Sequence, residues 1–138
     1  MSSFALKVYY EDTDAGGVVY HANYLRFFER ARSEWLLAKG LSHRDLREQA
    51  NVVLVVTEVQ LRFLRPARLE DDLCIHTQLL EHGRVRLVFS QELMRGSERL
   101  ATLVTTVAAV QESSFKPARL PPFFIEALEK PLDVNPDD

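Results

Sequence analysis

The 138-residue chain has one cysteine, Cys74, only five glycines and one tryptophan, and its 17 Lys and Arg fall short of its 20 Asp and Glu, for a formal net charge of −3. A single cysteine excludes an internal disulfide. Cys74 stands at an alternating position of a strand-like stretch, so an inert, buried or half-buried thiol is the expectation. Without a basic excess the chain is not expected to bind nucleic acid in general, because affinity for the phosphate backbone rests on clustered Lys and Arg. No run of about 18 apolar residues is present, so no membrane span is expected. The opening MSSFALKVYYEDTD has no basic segment followed by an apolar one, which points to the cytoplasm. His21, His43, His76 and His82 show no paired metal-ligand spacing with Cys74, so no metal site is expected. Repeats and low-complexity linkers are missing too. A chain of this length reads as one domain, 1–138, able to bury about two-thirds of its unfolded surface. Residues 131–138 are expected to be a frayed tail.

What is present is strong patterning. Phe4, Leu6, Val8 and Tyr10 alternate with Ala5, Lys7, Tyr9 and Glu11, the period of a strand with one apolar face. A long helix is expected to start near His21 to Asn23. Tyr24, Phe27, Phe28, Ala31, Trp35 and Ala38 recur along it at three- and four-residue steps, with Arg26, Arg30 and Ser33 opposite. Gly40 before Leu41 is placed as a left-handed stop, and Ser42 with Asp45 marks a short second helix to about Gln49. From Val52 the period becomes two. Val53, Val55, Thr57, Val59, Leu61 and Phe63 are expected on one face, with Glu58, Gln60 and Arg62 on the other. Leu73 to Leu79, Val85 to Leu93 and Leu100 to Gln111 follow as three more strands, separated by EHGR and RGSE turns. The last is apolar on both faces and is expected to be central or covered at an interface. FFIEALEK, after Pro117, Pro121 and Pro122, reads as a short docking helix. The pattern is α+β, with a single long helix covering one face of a five-stranded antiparallel sheet.

Chemistry concentrates between the first strand and the helix. Glu11, Asp12 and Asp14 stand just before Gly16-Gly17 and the helix start. A helix N-terminus offers unpaired N–H groups and a partial positive charge, so it can polarise a carbonyl or hold an oxyanion while a carboxylate beside it attacks or deprotonates. Taken alone, Asp14 reads as a turn residue, because Asp, Gly and Asn crowd turns. Asp12-x-Asp14-x-Gly16 also has the outline of a calcium loop, but Gly16 stands where the third ligand belongs and Asn23 where the bidentate Glu belongs.

The stretch YEDTDAGGVVYHANYLRFFERAR resembles the signature of the hot-dog-fold acyl-CoA thioesterases of the 4-hydroxybenzoyl-CoA thioesterase type, and most nearly their bacterial branch associated with the tol-pal cell-envelope genes. The resemblance implies a sheet wrapped around the helix, hydrolysis of acyl-CoA to free acid and coenzyme A, and no cofactor beyond the coenzyme A of the substrate. It puts Asp14 on the family's catalytic aspartate, as nucleophile or general base, and His21 where a backbone N–H bonds the thioester oxygen. Gly16, Gly17, Tyr20 and Asn23 fall on motif positions expected to lie against the substrate, whereas turn capping is expected to explain Asp12. Arg84 follows a hairpin where relatives supply basic groups to the nucleotide. It is the first expected phosphate contact, with Arg65 and Arg62 behind it, because guanidinium forks match phosphate oxygens. Family members form dimers with a continuous sheet and sites at the subunit boundary, often paired into tetramers, so a homodimer or homotetramer is expected. The alternative is an adaptor in envelope lipid metabolism, directed at acyl carrier protein or without catalysis. A hot-dog hydratase ranks below both, since no HFPG-like or D-x-N-P-x-H-like stretch occurs.

Overall fold

The computed structural model describes residues 2–131, so the expected frayed tail lies, from 132 onward, outside the described residues. Five strands, β1 (Ser2–Lys7), β2 (Val52–Phe63), β3 (Asp72–His82), β4 (Arg86–Arg95) and β5 (Glu98–Gln111), form one antiparallel sheet in the order β1-β3-β4-β5-β2. Helix α1 (His21–Ala38) lies against one face, α2 (His43–Ala50) leads into β2, and α3 (Pro122–Glu129) docks at the end. This is the expected α+β hot-dog arrangement. β5 sits between β4 and β2, the central place expected for it, and along most of its length buried residues alternate with half-buried ones. No described helix is long and apolar enough to cross a membrane.

Three local readings change. β1 ends at Lys7 rather than running on through Tyr10, because the Asp12 carboxylate accepts the Tyr9 N–H at 2.9 Å and Asp12 N–H bonds Tyr9 O at 3.0 Å. These bonds wind Tyr10–Asp12 into a single 3-10 turn and leave Tyr10 82 % exposed. In β2 a bulge between Val56 and Glu58 breaks the single alternation expected from Val53 to Phe63. One extra residue switches the parity: Val52 and Leu54 pack on the helix side before the bulge, Leu61 and Phe63 after it. On α1, Leu36 is buried and Ala38 is exposed.

The core divides along α1. Its first half packs Tyr24, Phe27, Phe28 and Ala31 against Val8, Val19, Ala67, Leu73, Ile75 and Leu93, while Trp35 and Leu36 join Leu46, Leu87, Phe89, Val107, Phe124 and Leu128. A polar seam lies in the same interior. Buried Gln91 donates to Phe28 O at 2.9 Å and to Thr77 Oγ1 at 3.0 Å, and its Oε1 accepts from Arg32 at 3.0 Å; Arg32 also reaches Thr105 Oγ1 at 3.4 Å. The amide thus binds a sheet strand to the middle of the helix. No buried side-chain nitrogen or oxygen among the described residues is left without a partner.

Candidate active site

The segment ahead of α1 folds as a miniature sheet. Thr13 bridges Val19, Asp14 N–H donates to Val18 O at 2.9 Å, and Gly17 N–H turns back to Asp14 O at 3.0 Å. One step along, Tyr20 N–H donates to Asp12 O at 2.9 Å, and the Asn23 side-chain amide bonds the same carbonyl at 3.0 Å. The main chain of Asp12 therefore ties the acidic turn to the start of α1. A third segment joins from the β2–β3 loop, where Val18 bridges Arg68 and Val19 N–H donates to Ala67 O at 2.9 Å.

This register assigns the faces. Directly opposed residues of an antiparallel pair project to the same side, and the side alternates along each strand. Val19 is 3 % exposed and belongs to the core, so Thr13 shares its inward side. Asp14, Val18 and Arg68 then form one outward row, with Tyr20 on the same side as Val18. Tyr20 is the diagonal neighbour of Asp14, about 7–8 Å away between Cα atoms. The first N–H groups of α1 follow immediately. Tyr20 provides no side-chain cap, and the His21 and Ala22 N–H groups meet no acceptor among the described residues. An exposed carboxylate thus shares its face of the ladder with Tyr20, the residue that precedes an open helix N-terminus.

The glycines hold the carboxylate in place. Asp14 Oδ1 accepts the Gly16 N–H at 2.8 Å, and a Cβ on Gly16 would come within 3.2 Å of that oxygen. Gly17 has φ +79°, a left-handed conformation that an L side chain adopts only with strain.

The other expected site residues are scattered. Tyr20 is half exposed, with its ring centroid 4.6 Å from that of His21. Arg62 points to the sheet face away from α1, because its neighbours Leu61 and Phe63 point toward it. Arg65 is paired with Glu98 at 2.8 Å. Arg84 lies in the β3–β4 turn, where its carbonyl accepts Leu120 N–H at 2.7 Å beside α3. That is the opposite end of the sheet from the acidic turn, about 30 Å along β3.

Sequence reasoning missed Arg32. It lines a cavity of about 200 Å3 between α1, α2 and β2, together with Leu36, His43, Leu54, Phe89 and Val107. Burial pulls its guanidinium below the ordinary arginine pKa, against the opposing influence of Glu29. The signal was its spacing, four residues from both Phe28 and Leu36, which places a cation on the apolar stripe.

Comparison with known proteins follows the same outline. A family model described as the thioesterase-like superfamily matches residues 8–128. An acyl-CoA thioesterase, YbgC, of Haemophilus influenzae is 41 % identical over 119 residues, 86 % of this chain and 88 % of that protein. An acyl-CoA thioester hydrolase, YbgC, of Escherichia coli is 40 % identical over 117 residues, 84 % of this chain and 87 % of that protein. The crystal structure of a probable thioesterase from Bartonella henselae superposes with a TM-score of 0.83 at 36 % identity, covering 87 % of this chain and 98 % of that one.

Proposed function

The chain belongs to the thioesterase-like superfamily, and from that premise we propose that it hydrolyses acyl-CoA thioesters at the turn ahead of α1. One observation supports the reading: the register of the miniature sheet sets Asp14 on the same face as Tyr20, the residue just ahead of the open N-terminus of α1. The thioester carbonyl oxygen accepts from the His21 N–H, which stabilises the negative charge that builds on it. Asp14 either takes a proton from water as that water adds to the carbonyl carbon, or attacks the carbon itself and forms an anhydride that water then opens. In both routes the C–S bond breaks and coenzyme A leaves as the thiol once protonated. Gly16 and Gly17 admit the substrate close to the chain, and Tyr20 and Asn23 border it.

A second copy belongs in this reading. β2 is an edge strand, with Val56 54 % and Val59 41 % exposed, and open apolar edges invite pairing. A homodimer that continues the sheet covers it. Arg84, and less directly Arg62 and Arg65, remain the proposed contacts to the phosphates of coenzyme A. Acyl carrier protein is the alternative carrier of the thioester.

Replacing Asp14 by Asn keeps size and polarity but removes the charge. The expected result is a kcat lower by on the order of 10²–10⁴, with KM for acyl-CoA nearly unchanged. Rapid quenching separates the two routes, since only the nucleophilic one leaves the enzyme heavier by an acyl group. Near-normal turnover by folded Asp14→Asn would return this aspartate to the role of a turn residue.

A further inference from the structure

We propose that Arg68 is a substrate-binding residue of the same site, donating to the first amide carbonyl of the pantetheine arm, the one nearest the sulfur. The inference rests on the thioesterase reading above and adds a contact to it. Arg68 stands in the outward row with Asp14 and Val18: Val18 pairs with Asp14 on one side and bridges Arg68 on the other. Two inter-strand steps of about 5 Å put the Arg68 Cα about 10 Å from that of Asp14. An extended arginine side chain spans much of that gap.

The main chain of Arg68 is fixed while its guanidinium is not. Arg68 N–H donates to Asp71 Oδ2 at 2.8 Å, and the same oxygen accepts from Arg95 at 2.6 Å; Arg95 also donates to Pro66 O at 3.2 Å. Ala67 N–H, next in the loop, donates to the buried Tyr24 hydroxyl at 3.1 Å. The loop that carries Arg68 is thus anchored to β4 and to α1. Neighbouring arginines are engaged, Arg65 by Glu98 and Arg95 by Asp71 and Glu98. The Arg68 guanidinium has no ion pair or hydrogen bond among the described residues and is exposed.

Placement decides what it takes. A thioester held between Asp14 and the His21 N–H has two substituents, an apolar acyl group and a polar arm. The Arg68 side is open surface carrying a cation, which suits the arm. At this distance the acceptor within reach is the amide one ethylene unit from sulfur, whereas the diphosphate lies much farther along. Charge-assisted donation to that carbonyl is present before and during reaction, so it acts on binding rather than on kcat.

The test uses two thioesters of one acyl group, the acyl-CoA and the acyl-N-acetylcysteamine, which keeps the near amide and lacks everything beyond it. Arg68→Met should raise KM about 10- to 100-fold for both substrates, with kcat held within about threefold. Arg68→Lys should recover part of the loss. Because the guanidinium has no partner among the described residues, the thermal midpoint of Arg68→Met should match the parent's, so a merely structural role is distinguished by the KM split. A KM unchanged for both substrates overturns the assignment. So does a loss confined to acyl-CoA, which would move the contact to the nucleotide end. A parent chain that turns over neither substrate would instead overturn the thioesterase reading itself.

Discussion

At the C-terminal end of α1, Lys39 and Leu41 N–H groups bond Leu36 O, and Gly40 N–H bonds Leu37 O, with Gly40 at φ +77°. This is a complete left-handed stop, sealed by buried Leu41. The Ser42 hydroxyl then caps α2 by accepting Asp45 N–H at 2.9 Å. Lys39 sits 4.9 Å from the centre of the Trp35 ring and donates to Leu128 O at 3.2 Å, fastening α3 to the same corner. At the N-terminal end the His21 and Ala22 N–H groups bond nothing among the described residues, and the surrounding turn is exposed. A helix end left open costs free energy unless water or a ligand takes its donors. The far end is closed by packing and caps, whereas the near end leaves two donors open among the described residues.

Asp14→Asn is the sharpest way to break that contrast, removing activity and leaving stability alone. Next in size is the seam that joins the two ends. Gln91→Leu deprives Phe28 O and Thr77 of a donor and Arg32 of its main acceptor, and should cost about 2–3 kcal/mol in urea denaturation. The folded fraction should keep its kcat, since Gln91 touches neither end. Loss of kcat in fully folded Gln91→Leu would mean that the seam transmits to the site. Smaller again is a matched pair of glycines. Gly17 and Gly40 have φ +79° and +77°, and a Cβ at either would meet nothing within 4 Å, so alanine tests backbone strain alone. Each replacement should cost about 1–2 kcal/mol. Only Gly17→Ala should also lower kcat, by displacing the turn that carries Asp14. Equal kcat values for the two variants would contradict the division of labour between the ends.

The sequence disclosed the far end more fully than the near one. Gly40, Ser42 with Asp45, and the apolar stripe of α1 are local signals, and local signals decide caps and helix faces. The bulge in β2 was hidden because an added residue leaves the composition of a strand unchanged while reversing its faces. The alternation overruns β1 because Tyr10 continues it even though the Asp12 carboxylate competes for the backbone. The motif pointed to Asp14 and to the helix start, but Arg68 lies 54 positions downstream (68 − 14) and meets the turn only through the bridge to Val18. No period or spacing carries a contact of that kind. Arg84 is expected from the hairpin where relatives hold the nucleotide, and Arg62 and Arg65 from the match of guanidinium to phosphate; neither ground says which loop meets the acidic turn.

The smallest expected effect belongs to the far end and to acid. His43 opens α2, where its ring lines the cavity beside Arg32, with Nε2 3.4 Å from Ser33 Oγ. Burial lowers the imidazole pKa below its ordinary value; Arg32 and Arg47 lower it further, and Glu29 opposes them. The position at a helix N-terminus also disfavours a cation. The folded chain therefore binds the proton less readily than the unfolded chain, whose histidine titrates near 6.5. Its contribution to stability is complete above that pH and is lost as pH falls through the folded value, because unfolding then takes up a proton. His43 keeps much of its surface in water, so the slope is shallow. His43→Gln should flatten the decline of stability as pH falls below about 6.5, without altering the pH profile of kcat. Stability curves for the parent and His43→Gln that superimpose across this window would show that the far end is indifferent to this proton.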